Sequence, residues 1–407
     1  MDVGKKEIKA IEGVIKKVFD KERLKALGRQ SKFVQRSTSQ LNGYNFLLMN
    51  LFEASSDGEK SLNDCCDWLL EEFDIDMRKQ SLDERYNTDA VRFMRACFTE
   101  FINHSNPFLN GECLNTNWSG IYLADSTTFK IPDHLSTFYE GYKNGGKAML
   151  KLQLNYDLLS GHIQDLKPYS GRDSDYRYQK ESKEDFKRNS LYIRDLGYFD
   201  TAHFYELDRQ EAYFLSRSKS NQNYYTKDEN GKYHKLEIEK YLPKDGQRIE
   251  LKEVYVGVAT KRVKVRLILE KVPQLVLEKR TARLKRAAIK QSKRKISEER
   301  KRMSQYNVFI TNASEEQLPI DQIRLVYTLR WQIELMFKIW KSIFKIDKVK
   351  KMSIFRFECH LYAQLINIVL TMFISHKIGL SLWRKHQFEV SPWIVAKLIK
   401  KNITTYT

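Results

Sequence analysis

The chain is 407 residues long, 42% hydrophobic and 12% aromatic, enough for two or three domains with cores of their own and too apolar for a globally disordered protein. Its 71 Lys and Arg against 52 Asp and Glu leave a formal net charge of +19, which calls for a polyanionic partner: nucleic acid first, an anionic membrane surface second. The five cysteines (Cys65, Cys66, Cys97, Cys113 and Cys359) are odd in number and form no C-x-x-C pair, which speaks for a reducing compartment and against a disulfide framework or zinc ribbon.

The first residues carry Lys5, Lys6 and Lys9 but no apolar run, so they do not read as a secretory signal. Residues 1–112 read as helical. Ile8, Ile11, Ile15 and Val18 recur at helical spacing, and apolar runs follow at 46–52, 68–73 and 91–102. Lys and Arg are dense from Lys16 to Arg36, which fits a basic helical module against DNA and equally a solvated helix face. The pattern changes at Trp118. Residues 121–125 predict a strand ending at Asp125, before turn-prone Ser126 and two threonines. Alternation over 148–154 predicts a second strand, 157–161 a turn and 162–166 a third strand, together an antiparallel meander. A helix is expected over 182–189, capped by Ser182, with Asp185 where a capping box prefers Glu or Gln. A short strand over 191–194 ends at Asp195, and a helix over 201–209 and a strand over 212–216 follow. Strands first, then helix and strand in alternation, imply a mixed α/β sheet.

From 218 to 274, Tyr224, Tyr225, Tyr233, Tyr241 and Tyr255 stand among lysines. Residues 254–260 and 263–269 predict a hairpin with Lys261 and Arg262 at its turn, part of a β-rich insertion. A basic helix over 278–302, a strand over 307–311 and one long helix over 319–346 follow, and the remainder is helical and basic. The apolar stretch 361–375 is interrupted by Gln364 and Asn367, is short for a membrane span, and reads as a buried helix. Cys359 beside His360 could be a metal ligand or nucleophile, but a buried thiol next to a polar helix residue is the preferred reading.

The long helix holds the most chemistry. With Tyr327 at 0° and ~100° per residue, Arg330 falls near 300°, Glu334 near 340°, Lys338 near 20° and Lys341 near 320°, all within about 80° of arc. Most other positions are apolar, so the expectation is a mostly buried helix with one narrow polar stripe and Trp331 at its edge. Such a stripe suits a metal ion beside phosphates; the plainer alternative is an internal salt bridge of Arg330 or Lys338 with Glu334. Asp125 and Asp195 stand out as strand-end acids able to hold a divalent cation through oxygen. Asp157, Asp165, Asp173 and Asp175 compete with them.

Tyr327, Arg330, Glu334 and Lys341 fall in the order Y, two residues, R, three residues, E, six residues, K. This resembles the signature of the DDE transposases of the IS4 family of bacterial insertion sequences. The run Arg330-Trp331-Gln332-Ile333-Glu334-Leu335 is similar to the family's wording, Leu123 to Thr127 matches its first acid, and Asp195-Leu196-Gly197-Tyr198 its second. The resemblance covers about residues 115–350. It implies an α/β protein with an RNase H-like mixed-sheet catalytic core, interrupted by a β-rich insertion and flanked by helical N-terminal and C-terminal regions. The corresponding boundaries are 1–112 for a helical DNA-binding region, 113–217 and 307–350 for the two parts of the core, 218–306 for the insertion with its basic helix, and 351–407 for the helical C-terminal region.

The same resemblance implies that Asp125, Asp195 and Glu334 bind two Mg2+ ions, with Mn2+ as a substitute, for an in-line phosphoryl displacement. Tyr327, Arg330 and Lys341 would grip phosphates of the element's terminus, with Lys338 and Trp331 as further DNA contacts. Some relatives hold a flipped base on a tryptophan of the insertion. This chain has none there, its tryptophans being Trp68, Trp118, Trp331, Trp340, Trp383 and Trp393, so insertion tyrosines or Trp331 would take that place. The implied function is cut-and-paste DNA transposition in the bacterial cytoplasm, at the nucleoid. The partners are terminal inverted repeats, target DNA and a second copy of the chain in a synaptic complex, with no membrane. A metal-dependent nuclease without joining activity, or a non-catalytic DNA-binding protein, are the alternatives.

Overall fold

A computed structural model describes residues 5–36, 39–55, 60–105, 118–142, 145–181, 186–219, 221–244, 247–290, 298–388 and 390–406. Six helices come first: α1 (Lys5–Val18), α2 (Lys21–Gln30), α3 (Gly43–Ser55), α4 (Leu62–Phe73), α5 (Lys79–Arg85) and α6 (Thr88–Ser105). Then come β1 (Ile121–Lys130), β2 (Met149–Asp157), β3 (His162–Ser170), α7 (Asp175–Glu181), β4 (Leu191–Arg194), α8 (Thr201–Arg209) and β5 (Tyr213–Arg217). The insertion supplies β6 (Tyr224–Lys227), β7 (Tyr233–Lys235), β8 (Arg248–Val258), β9 (Lys261–Lys271), α9 (Gln274–Lys290) and α10 (Glu298–Met303). The chain closes with β10 (Tyr306–Thr311), α11 (Ile323–Thr328), α12 (Trp331–Ser342), α13 (Ile354–His386) and α14 (Pro392–Tyr406).

These elements fall into two compact units, and the dividing line runs inside β1, after Asp125, and inside α12, after Ile333. The helical unit comprises Met1–Glu112, Ser126–Asp173 and Glu334–Thr407. Its axis is α13, which packs against α1, α3, α6 and α14. The interrupted apolar stretch is its core: residues 361–369 are buried throughout, and the Asn367 amide donates to the Leu51 carbonyl at 3.3 Å. By length and composition α13 is also the one helix among the described residues that could cross a bilayer, and core helices pass the same test. Phe33 stacks on Phe93 and packs tilted against Phe46, with centroids 5.4 and 4.4 Å away. A capping box starts α4, with Ser61 and Asp64 exchanging hydrogen bonds, so Asp fills the position where Glu or Gln is favoured. β2 and β3 form an antiparallel hairpin. Its turn requires Gly161, which has φ +73° and stands where a Cβ would meet the His376 ring at 2.4 Å.

The sheet unit comprises Cys113–Asp125 and Ser174–Ile333. Its strand order is β1-β4-β5-β10-β9-β8-β6-β7. β1, β4 and β5 run parallel, and the remaining neighbours pair antiparallel, so the insertion strands extend the sheet outward from β10. One core serves both parts: Tyr192, Phe204, Leu207 and Phe214 pack with Val254, Val256, Val265 and Leu267 of the insertion hairpin.

Several sequence expectations need correction. β1 continues to Lys130, because Thr127 and Thr128 are β-branched and favour a pleated strand over the expected turn. A helix forms at Asp175–Glu181, before the expected 182–189. Ser182 to residue 185 lie outside the described residues, and 186–189 are coil and turn. There Asn189 donates to Glu211 and accepts from Ser119, bonds a helix could not share. The basic helix is α9 and α10, with 291–297 outside the described residues. The β8–β9 turn lies at Ala259-Thr260, one pair earlier than expected, with Ala259 at φ +48° and Lys261 already in the strand.

Candidate active site

The parallel register of β1 and β4 aligns Ala124 with Arg194. The next residues along the two strands are Asp125 and Asp195, so the two carboxylates stem from adjacent strands, whose usual spacing is ~4.8 Å. Asp125 is in mid-strand, the fifth residue of β1, whereas Asp195 leaves β4 in extended geometry and begins the tight turn Leu196–Tyr198. Two like charges this close need a cation. Arg330 supplies it: Nη1 lies 3.3 Å from Asp125 Oδ2, and Nε lies 3.8 Å from Asp195 Oδ1. The Arg330 and Asp125 side chains are 10% and 17% exposed, but Asp195 is 47% exposed, so the pair opens to solvent on one side.

Arg330 reaches this place because the expected long helix is broken. α11 ends at Thr328 and α12 begins at Trp331. Across the junction the backbone bonds run from i+3 to i: Leu329 to Val326, Arg330 to Tyr327, Gln332 to Leu329 and Ile333 to Arg330. Such bonds wind the chain more tightly than an α-helix, so the single wheel drawn from Tyr327 does not hold across Arg330. Tyr327 is buried against Phe309, ring centroids 5.3 Å apart, and hydrogen-bonds Arg330. Burial pushes its phenol above the ordinary value; Arg330 opposes that shift, Asp195 adds to it and Arg217 opposes it. Arg217, at the end of β5, was not singled out from sequence. A lone arginine at a strand end carries no pattern.

The expectation of a mostly buried α12 is also corrected. Ile333, Phe337, Ile339 and Trp340 are buried, but Leu335 and Lys338 are exposed and Trp331 is 60% exposed. This is an ordinary amphipathic helix, because the residues facing solvent include apolar ones that the wheel assigned to a core. Trp331 stands open to solvent, and the Arg330 guanidinium lies over its ring, 5.4 Å from the centroid. The salt bridge weighed for Arg330 is made with the two aspartates.

The other predicted residues belong to the helical unit. Glu334 stands in the first turn of α12, where the helix dipole favours a carboxylate. Lys338 Nζ lies 6.0 Å from the Trp393 ring centroid. Lys341 donates to the Thr128 carbonyl at 3.3 Å, and burial pushes its amine below the ordinary value, with Asp347 opposing. The competing acids have local work. Asp157 accepts from Leu159 and Ser160 in the β2–β3 turn, Asp165 pairs with Lys167, Asp173 accepts from the Ser170 amide, and Asp175 opens α7. Cys65, Cys66, Cys97 and Cys359 are free thiols raised first by burial, Cys65 to about 12, so Cys359 is no nucleophile at neutral pH. Among the described residues no cluster of three or more His, Cys, Asp and Glu side chains is set to hold a metal.

A mixed sheet that presents neighbouring aspartates on parallel strands, beside a guanidinium suited to phosphate, has the chemistry that phosphoryl transfer uses. Residues 119–370 match the family described as Transposase DDE domain, and the chain belongs to it. It is 32% identical to the transposase for insertion sequence element IS1151 of Clostridium perfringens, over 95% of this chain and 85% of that one. The transposases for IS231F of Bacillus thuringiensis subsp. israelensis and IS231B of B. thuringiensis subsp. berliner are 30% and 29% identical, each over 83% of its own length. Among solved structures, a cryo-EM piggyBac transposase synaptic complex with hairpin DNA aligns with a TM-score of 0.51 at 10% identity, covering 97% of this chain and 80% of that chain. The fold is the RNase H-like fold of these enzymes. The chain is a DNA transposase, an enzyme that cuts and transfers DNA strands, of a family that depends on divalent metal.

Proposed function

We propose that the chain carries out cut-and-paste transposition, binding its element's terminal inverted repeats, cutting at the ends and joining the 3′-hydroxyls to target DNA. Asp125, Asp195 and Glu334 are the carboxylates that hold Mg2+, with Mn2+ as substitute. The observation that carries this reading is the pair of aspartates on adjacent parallel strands with Arg330 against both. Their donor chemistry fits: Mg2+ is commonly held by one or two carboxylates and completes its shell with water and phosphate oxygens. Bound divalent cations supply activation of a water or 3′-hydroxyl and stabilisation of the leaving oxygen.

The chain's own residues do the rest. Arg330 offers a planar fork to a phosphate of the terminus, Tyr327 buttresses it, and Lys341 and Lys338 add point charges. Exposed Trp331 offers a stacking face to a displaced base. The helical region 1–112 binds DNA and the segments 113–217 and 307–350 form the catalytic core. The segment 218–306 inserts between them, and 351–407 is a helical C-terminal region. A homodimer holds both ends in one synaptic complex, in the cytoplasm. The test is substitution: Asp125→Asn, Asp195→Asn and Glu334→Gln should each abolish strand cleavage while leaving end binding largely intact. Cleavage retained in any one of them removes that residue from the set.

A further inference from the structure

The two aspartates already face a cation, and it belongs to the chain. Arg330 covers Asp125 Oδ2 at 3.3 Å and Asp195 Oδ1 at 3.8 Å, the kind of oxygens a divalent ion would need. A metal and a guanidinium against the same carboxylates repel each other. The Asp195 contact is too long for a hydrogen bond. A DNA phosphate can accept two parallel N–H bonds from arginine, a better match. The guanidinium also has a way out. Asp195 opens the site to solvent, and the guanidinium already lies over the exposed Trp331 ring, 5.4 Å from its centroid, a contact it can keep as it leaves the carboxylates.

We propose that Arg330 is a charge gate on the metal site: it neutralises Asp125 and Asp195 while DNA is absent, and releases them to the metal when a DNA phosphate draws its guanidinium away. The inference rests on the reading of Asp125 and Asp195 as metal ligands. The effect of Arg330 on the metal precedes any bond breaking. Because coupling between two ligands is reciprocal, DNA ends and metal must each raise the other's affinity. A transposase without a bound end then carries little metal and does not nick DNA at random.

The test is Mn2+ binding to the full chain, read as loss of the free-ion electron paramagnetic resonance signal, without DNA and with a terminal-repeat duplex. The duplex is pre-cleaved and ends in a 3′-deoxynucleotide, so no chemistry can occur. Without DNA, Arg330→Gln should bind Mn2+ at least about tenfold more tightly than the wild type, equivalent to ~1.4 kcal/mol, whereas Arg330→Lys, which keeps the charge, should stay close to it. Adding the duplex should raise the wild-type affinity by about the same factor and leave Arg330→Gln unmoved. Should Arg330→Gln fail to fold, the wild type with and without duplex decides alone. Mn2+ affinity in Arg330→Gln equal to or below the wild type, or a wild-type affinity indifferent to the duplex, would overturn the gate. Tight Mn2+ binding that survives when Asp195→Asn is added to Arg330→Gln would instead refute the ligand reading itself, and the gate with it.

Discussion

The helical unit and the sheet unit each bury an arginine against carboxylate, and they do so in opposite ways. In the helical unit Arg356 of α13 closes on Glu53 of α3 at 2.7 Å, with side chains only 14% and 3% exposed. His360 Nδ1 stands 4.0 Å from the second carboxylate oxygen, and the Tyr86 ring lies 5.9 Å from the guanidinium. This is one cation sealed onto one anion, and no ligand has access to it. In the sheet unit Arg330 is shared between two anions at longer range, and one of them is half-exposed. Asp195 leaves that site an open side. A sealed pair fixes helices to each other; an open one can exchange its cation for another. What separates structure from chemistry is the exposure, since both sites use the same residue types.

That contrast can be broken by mutation. The largest effect on stability belongs to the sealed pair. Arg356→Met strands Glu53 in the core and should cost about 3–5 kcal/mol, seen as a lowered melting temperature with normal cleavage per folded molecule. Arg330→Gln should do the reverse. Cleavage should fall by ~10²-fold or more, as when a positioned electrostatic group is lost, while in the presence of divalent metal, which takes over the two aspartates, the melting temperature should fall less than in Arg356→Met. If both variants fail in the same way, the distinction is wrong.

Trp331→Ala sharpens the picture next. As an exposed side chain it should leave melting nearly unchanged. Losing a base platform worth ~1–3 kcal/mol should reduce second-strand release while first-strand nicking persists. A destabilised protein with a normal ratio of nicked to released product would end the stacking idea.

The smallest effect is that of pH. Burial holds the His376 imidazole down to about 4, and His360 of the same unit is also depressed by burial, with Glu53 opposing. Depressed folded-state values mean that the unfolded chain takes up protons first as pH falls. Stability is therefore fully present above the ordinary value of ~6.5 and declines below it, by at most about 1.4 kcal/mol per pH unit for each proton. In the sheet unit His203 is held down by burial and then by Arg194. Melting followed from pH 7.5 to 5 should show the decline, and His376→Asn should flatten it.

Much of this was legible in the sequence, and the reasons are local. The strand at 191–194 and the helix at 201–209 matched their expected bounds, the helix having the Asp200 side chain to cap it. The strand pattern placed Asp195 at the end of β4, and the spacing from Tyr327 to Lys341 was readable without a fold. The Arg330 contact was not legible. It depends on a turn of tighter winding between α11 and α12, and hydrophobic periodicity cannot distinguish that from a continuous helix. Asp125 was expected at a strand end because Ser126 and the threonines after it were weighed as turn formers, although pairing with neighbouring strands decides such residues.

The central claim is that this site joins DNA as well as cutting it. The direct measurement incubates the full chain with Mg2+, pre-cleaved terminal-repeat ends bearing 3′-hydroxyls, and supercoiled plasmid. The account predicts ends covalently joined to the plasmid, with joining lost in Asp195→Asn. Plasmid nicked or linearised with no joined ends would contradict it and leave a nuclease.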